Sequence, residues 1–404
     1  MIILVLNCGS SSVKYQVMEM TAKKESNLLA KGLVERIGIT DGVHTYQPTG
    51  KDKIKSVTDI PDHTKGIDLI IKSITDHENG VVKSLEDINA IGHRVVFGGE
   101  FFKDSALITP EIVVNIENNT ELAPLHIPAN LKGIYAISEL LPSAPQVACF
   151  DTAFHQTMPA HAYIYALPYK YYTTYRVRRY GYHGTSHKFV AEQGCKLAGL
   201  DFHKSKIVTC HIGNGASVTA IVDGKSVDTS MGLTPLEGLI MGTRSGDVDA
   251  GAINYICNKE CFGMDKMWNI LNKESGVLGI SGISSDMRDI ENAVAEGDER
   301  AKLALDAYYY RIKKYVGSYS AAMGGVDLIV FTGGAGENDP DLRKTVCSGL
   351  EFMGVDFDET ANDGVRGKSI IISKPSSRVK VAAVCTNEEL VMAQDTFRIV
   401  SAKA

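Results

Sequence analysis

Short apolar runs rich in valine and isoleucine recur along the chain, at Ile2–Leu6, Ala90–Val96, Gln146–Phe150, Lys206–His211, Leu328–Thr332 and Val379–Cys385, each followed within two residues by Gly, Asn or Asp. Runs of this length predict buried strands that deliver polar residues at their C-terminal ends. Between them lie helical patterns. The clearest is Asp298–Met323, where Leu305, Tyr309, Ile312 and Val316 fall on one face and Gly324-Gly325 supplies the stop. Strands alternating with helices imply an α/β architecture with ligands gathered at strand ends.

The pattern also echoes itself. Leu4–Lys14 and Val208–Thr219 both run strand, Asn or His with Gly, a turn of small residues, then a second alternating strand. Their separation is close to half the chain, which suggests two related halves, each contributing one hairpin. At 404 residues, with 44% apolar and 22% charged, the chain suits two domains around a cleft. No linker or low-complexity tract interrupts it.

Charge and cysteines narrow the function. A formal net charge of -6 provides no basic field for nucleic acid or an anionic membrane. The apolar opening Met1–Leu6 stops at Asn7, too short for a signal-peptide core or a membrane span. None of the eight cysteines forms a C-x-x-C pair, and Cys149, Cys210 and Cys385 lie in or at the end of apolar runs. Buried, reduced thiols in a cytoplasmic protein are expected.

The polar segments carry the chemistry. Asn7-Cys-Gly-Ser-Ser-Ser-Val-Lys14 packs backbone N–H groups and hydroxyls into a tight turn, either a phosphate cradle or an ordinary polar hairpin. It lacks the spacing of a Walker loop. His211-Ile-Gly-Asn-Gly-Ala-Ser217 repeats the device, and no dinucleotide fingerprint follows because a strand begins at once. Phe331-Thr-Gly-Gly-Ala-Gly-Glu-Asn338 follows a strand and lets the backbone approach a flat ligand, or serves as a tight strand-to-helix turn. Arg94 near a strand end and Arg244 in the flexible-looking loop Met241–Asp247 suit bidentate capture of carboxylate or phosphoryl oxygens. His183 and His187 stand at i and i+4, but Gly184 and the missing H-E-x-x-H pattern argue against a metal pair. Asp151 and Glu388 are acidic groups placed to hold Mg²⁺ or to cap a helix.

Taken together these motifs resemble the acetokinase family. The resemblance runs from Asn7 to Glu388 and includes Gly92-His-Arg-Val-Val96, Phe150-Asp-Thr-Ala-Phe-His155, Arg178-Arg-Tyr-Gly-Tyr-His-Gly-Thr-Ser-His187, Thr234-Pro-Leu-Glu-Gly-Leu239, Met241-Gly-Thr-Arg-Ser-Gly-Asp247, Ser285-Asp-Met-Arg-Asp289 and Thr386-Asn-Glu-Glu389. It implies two related ribonuclease H-like domains, the duplicated actin-like ATPase fold, flanking a nucleotide cleft. The first domain would comprise 1–151 plus 387–404 and the second 152–386. Carried over by position, Asp151, His183, Arg244 and Arg94 look catalytic, with Arg94 also binding substrate. Val96, Leu125, Tyr182 and Pro235 line the acyl pocket, Tyr182 standing where the family has Phe. Lys14, His211, Ile212, Gly213, Asn214, Gly215, Asp286, Met287, Arg288, Gly334, Ala335, Gly336, Glu337 and Asn338 contact nucleotide. Asn7 and Glu388 are associated with Mg²⁺, for which Mn²⁺ substitutes. A homodimer is implied, with no nucleic acid or membrane partner.

The implied reaction is reversible phosphoryl transfer from ATP to acetate, giving acetyl phosphate and ADP. Propionate or butyrate kinases share this machinery, and one methylene is worth only ~1–3 kcal/mol, so the sequence separates them poorly. A noncatalytic nucleotide-switched module, like a chaperone ATPase domain or a filament subunit, leaves Arg94, His183 and Arg244 without a task.

Overall fold

The computed structural model describes residues 1–21, 25–124 and 126–402. These fall into two compact units, Met1–Gln156 with Asn387–Ala404, and Thr157–Thr386. The first is built on strands β1 (Ile2–Cys8), β2 (Ser12–Met20), β3 (Ser26–Glu35), β4 (Gly42–Pro48), β5 (Ile54–Thr58), β6 (Ile88–Val95), β7 (Ala106–Leu107) and β8 (Gln146–Phe150). Their order in the sheet is β5-β4-β3-β2-β1-β6-β8-β7. Successive side chains of β1 enter opposite cores, as the period of two requires. Leu4 and Leu6 pack with Ile67, Ile70 and Ile74 of the helix His63–Ile74. Ile3 and Val5 pack with Val147, Met392 and Ala393, the last two from the helix Glu388–Ser401. A strand covered on both faces reads as a continuous apolar run, which is why β1 is so plain in the sequence.

The second unit is built on β9 (Lys206–Ile212), β10 (Ala216–Val222), β11 (Lys225–Thr229), β12 (Leu328–Thr332), β13 (Ile370–Ile371) and β14 (Lys380–Ala383), in the order β11-β10-β9-β12-β14-β13. The succession β3-β2-β1-β6-β8 in the first unit has its counterpart in β11-β10-β9-β12-β14. In each, two antiparallel pairings are followed by two parallel ones. The echoing motifs are the β1–β2 and β9–β10 hairpins, with Asn7 opposite Lys14 and His211 opposite Ser217. The expected α/β duplication is therefore present as two sheets with one topology.

All six expected strands form, the last shortened to Lys380–Ala383. The expected long helix runs over Glu299–Ala322, with the Asp298 carboxylate accepting from the Ala301 amide at 2.8 Å and all four expected residues buried. No helix among the described residues is long and apolar enough to cross a membrane. All eight cysteines are free; Cys8, Cys149, Cys195, Cys210 and Cys347 are buried, whereas Cys257 and Cys385 are half-buried and Cys261 is exposed. The expectation of buried thiols thus fails at Cys261, which follows the helix Ala250–Glu260, a helix with no buried residue.

Candidate active site

In the first unit the site residues stand where parallel strands end. Arg94 on β6 is registered opposite Cys149 on β8, and Asp151 follows two residues later. Arg94 Nε donates to the two Asp151 oxygens at 3.0 and 3.2 Å, and Nη2 donates to Oδ2 at 2.6 Å. Asp151 is buried. Burial opposes the Arg94 charge, but Asp151, Glu388 and Glu389 outweigh it and hold the guanidinium above its ordinary value. Burial pushes the Asp151 carboxyl up while Arg94 pulls it back. Two hydrogen-bonding groups of an arginine that does not deprotonate keep the pair ionised. Lys14 pairs with Glu389, next to Glu388 at the start of the helix Glu388–Ser401. In the Asn7–Lys14 turn the Gly9 amide donates to the Ser12 carbonyl at 2.8 Å, so that group of the expected cradle is already used.

In the second unit His183 precedes the helix Gly184–Ala198 in the left-handed region, with φ 57°. A side chain costs roughly 1–2 kcal/mol there, so the surroundings must hold it. His183 Nδ1 and His187 Nε2 share the Ser217 hydroxyl at 2.9 and 2.7 Å, and His183 stacks on His211 with centroids 4.2 Å apart. Ser186 meets His211 Nδ1 at 2.8 Å. The two histidines at i and i+4 therefore converge on a hydroxyl, and no cluster of three or more His, Cys, Asp or Glu able to hold a metal occurs among the described residues.

Arg244 is half-buried, its Nη1 donating to the Pro235 carbonyl at 3.1 Å. Burial lowers its pKa, only partly offset by Tyr182. It has no carboxylate partner among the described residues. Its loop, expected to be flexible, is tied at both ends. The amides of Gly242, Ser245 and Asp247 donate to the carbonyls of Asn214, Leu271 and Gly238 at 3.0 Å each.

Three segments far apart in sequence meet at one cavity of about 540 Å³, whose lining includes Gly213, Asn214, Asp286, Met287, Arg288, Gly334, Ala335 and Asn338. Gly333 makes the turn into it at φ +78°; a Cβ there would stand 2.9 Å from the Ile212 backbone, so only glycine fits. The helix Gly333–Asn338 begins at once, so the motif is a strand-to-helix turn, and its Gly334, Ala335 and Asn338 line the cavity. Asp286 caps the helix Met287–Ala295 and pairs with Arg288, which holds its carboxyl down at about 2.

Other expected nucleotide residues lie elsewhere. Ile212 is fully buried, and Gly336 is buried with its carbonyl accepting from Arg343 at 2.9 Å. Glu337 turns inward and accepts from the amides of Gly333 and Thr386, each at 3.0 Å. His211 belongs to the histidine network. Gly215 is in the β9–β10 turn, its carbonyl accepting from Gly213 at 3.1 Å. Lys14 is in the first unit.

Of the acyl set, Leu125 lies outside the described residues. Val96 belongs to the first unit, its amide held by Asn130 Oδ1 at 3.1 Å. Tyr182 and Pro235 belong to the second. The Tyr182 hydroxyl donates to the Leu233 carbonyl at 2.7 Å, so the departure from Phe finds a partner.

Sequence reasoning missed Ser217 and Ser186, and also Glu291, Asp339 and Arg366 in the cavity wall. Glu291 was findable, one helical turn beyond Met287 on the same face.

Residues 2–394 match the model of the acetokinase family. The chain is 55% identical over 400 residues to the acetate kinase of Phocaeicola vulgatus, covering 99% of each. It superimposes with a TM-score of 0.95 and 52% identity on the crystal structure of Porphyromonas gingivalis acetate kinase, covering 99% of both chains. A propionate kinase from Francisella tularensis is also similar, at a TM-score of 0.90 and 41% identity over 98% of this chain and 99% of that one.

Proposed function

The chain belongs to the acetokinase family and is a phosphotransferase with a carboxyl group as acceptor, and from that premise we propose that it runs ATP + acetate ⇌ ADP + acetyl phosphate by direct in-line transfer. The observation that carries this reading is Arg244, a guanidinium desolvated by burial and held by a carbonyl without a carboxylate. Such a group gains most from an incoming anion.

An acetate oxygen bonds to the γ-phosphorus as the bond to the bridging oxygen of ADP breaks, and the electron pair leaves on ADP. Carboxyls of this kind titrate near about 4.3, so acetate attacks already ionised and needs no base. Asp151 is then free to hold Arg94, whose Nη1 lies outside the pair and can take the acetate carboxylate. Arg244 and His183 offset charge on the transferring group. The cavity of the second unit takes the nucleotide.

Mg²⁺, with Mn²⁺ as a substitute, suits Asn7 and Glu388, an amide and a carboxylate oxygen rather than a protein cage. Lys14, the strand partner of Asn7, pairs with the neighbour of Glu388, which supports the assignment. When bound, the ion supplies positive charge to the phosphates.

Exposed Val248, Tyr255, Ile256, Met264 and Trp268, around a helix with no buried residue, support a homodimer. Free thiols support a cytoplasmic setting.

The test is hydroxamate trapping of acyl phosphate with acetate, propionate and butyrate. Acetate is expected to be turned over best, in line with 55% and 52% identity to the acetate kinases of Phocaeicola vulgatus and Porphyromonas gingivalis against 41% to the propionate kinase. Better use of butyrate rejects acetate and spares the kinase reading. No acyl phosphate from any acid favours the nucleotide-switched module.

A further inference from the structure

The chain Gly232–Pro235 is gripped from two sides. On one side it holds the machinery. The Pro235 carbonyl takes Arg244 at 3.1 Å, the Leu233 carbonyl takes the Tyr182 hydroxyl at 2.7 Å, and the Gly232 carbonyl takes the amides of Tyr180 and Gly181 at 3.1 and 3.3 Å. Tyr182 immediately precedes His183. On the other side stands a polar cluster that the mechanism above does not use. The Tyr165 hydroxyl accepts from the Leu233 amide at 2.9 Å and donates to Glu237 Oε2 at 2.5 Å. Glu237 Oε1 accepts from Arg179 Nη2 at 2.6 Å, and Arg179 Nη1 donates to the carbonyls of Thr229 and Ser230 at 2.7 and 3.1 Å. The packing has no slack, since a Cβ on Gly232 would stand 1.9 Å from Glu237 Oε2 and 2.2 Å from the Tyr165 oxygen.

We propose that Glu237 is a positioning residue of the phosphotransfer site, acting through Tyr165 and the Leu233–Pro235 backbone to set the Arg244 guanidinium. The proposal rests on the phosphotransfer reading of Arg244. Two donors converge on Glu237, one for each oxygen, and only a carboxylate accepts both. Glutamine at this position turns an N–H toward either Tyr165 or Arg179. The β11 end, anchored through Arg179, thereby fixes a carbonyl that aims a catalytic cation. An error of about 1 Å there costs ~10²-fold in rate.

The experiment measures kcat and KM of the full-length protein for Tyr165→Phe, Glu237→Gln, Arg244→Ala and the Tyr165→Phe/Arg244→Ala double variant, with thermal melts to confirm folding. Arg244→Ala is expected to lower kcat ~10³-fold. Tyr165→Phe, which removes one hydroxyl, is expected to lower kcat about 10–100-fold with the KM for ATP within about twofold of native, and Glu237→Gln at least as much. In the Arg244→Ala background the Tyr165→Phe loss should largely vanish, because both changes then act on one group. The proposal is overturned if Tyr165→Phe has no effect, if its effect falls on the KM for ATP, or if its full loss persists without Arg244. Its own failure is distinguishable, because Arg244→Ala then behaves as expected. An Arg244→Ala enzyme of native rate instead sinks the reading of Arg244, and with it the route assigned to Glu237.

Discussion

Asp151 spends both of its oxygens on Arg94, so its charge is committed before any substrate arrives. Removing one partner of a buried ion pair costs roughly 3–5 kcal/mol, because the other charge is left uncompensated. Asp151→Asn is therefore expected to lower the melting temperature, cut kcat about 10²-fold through a misaimed Arg94 and raise the KM for acetate. The pH-rate profile near neutrality should keep its shape, and a lost limb in that profile would instead show that Asp151 carries a proton. Glu291 offers a pH effect of the opposite kind. It lines the nucleotide cavity, where burial and then the charge of Asp339 push its carboxyl up to about 7; Asp341 pushes the same way and Arg366 opposes. A raised folded-state value means that its contribution to stability is fully present below the ordinary 4.5 and is lost as pH rises through about 7. Melting temperature should fall over that window in the native protein and fall less in Glu291→Gln. Affinity for ATP should weaken across the same window, since ionisation adds negative charge to the wall facing a polyanion. A melting curve and an ATP titration with the same slope in both proteins would remove Glu291 from the account.

At the scale of elements, the turn after β12 shows how closely the nucleotide wall is built. Gly333 cannot carry a side chain, and the carbonyl of Gly336 is held from behind by Arg343, a fully buried guanidinium that also binds Asn362 and Val365. Gly333→Ala should cost roughly 1–2 kcal/mol from the left-handed backbone alone, more once the Ile212 contact is relieved. It should raise the KM for ATP while leaving that for acetate near native, as calorimetry and steady-state kinetics can check; equal rises in both would point to general unfolding. These elements differ in how much of them the sequence displays. The two-faced strands β1, β8 and β12 are legible as unbroken apolar runs. By contrast β4 alternates buried with half-buried residues and β5 is exposed throughout, so neither stands out from loop sequence. The Arg244 loop reads as flexible from its small residues, because backbone hydrogen bonds to Asn214, Leu271 and Gly238 leave no trace in side-chain pattern. The role of Glu237 is hidden for a different reason: its side-chain partners, Tyr165 and Arg179, are 72 and 58 residues away.

For the whole molecule, the duplication is visible because both hairpins keep the same small-residue turns, and the two sheets repeat one order. The contact between Arg94 and Asp151 needs a parallel register that no local pattern encodes. No linker announces the point where the chain leaves the second unit at Thr386 and rejoins the first at Asn387, and the family resemblance alone implies that return. That return has a consequence during synthesis. Ile3, Val5, Ala90 and Val147 emerge from the ribosome early, yet Met392 and Ala393, which cover them, are made only after the entire second unit. Through most of translation the first sheet therefore presents an uncovered apolar face, the kind of surface that chaperones bind and that aggregates when left alone. A chain stopped after Thr386 should accumulate in the insoluble fraction, and adding the Asn387–Ala404 segment in trans should recover part of it. A soluble truncated chain would mean that the face finds another cover. On this route the second unit folds while the first waits, and the first-made half of the protein is the last to finish.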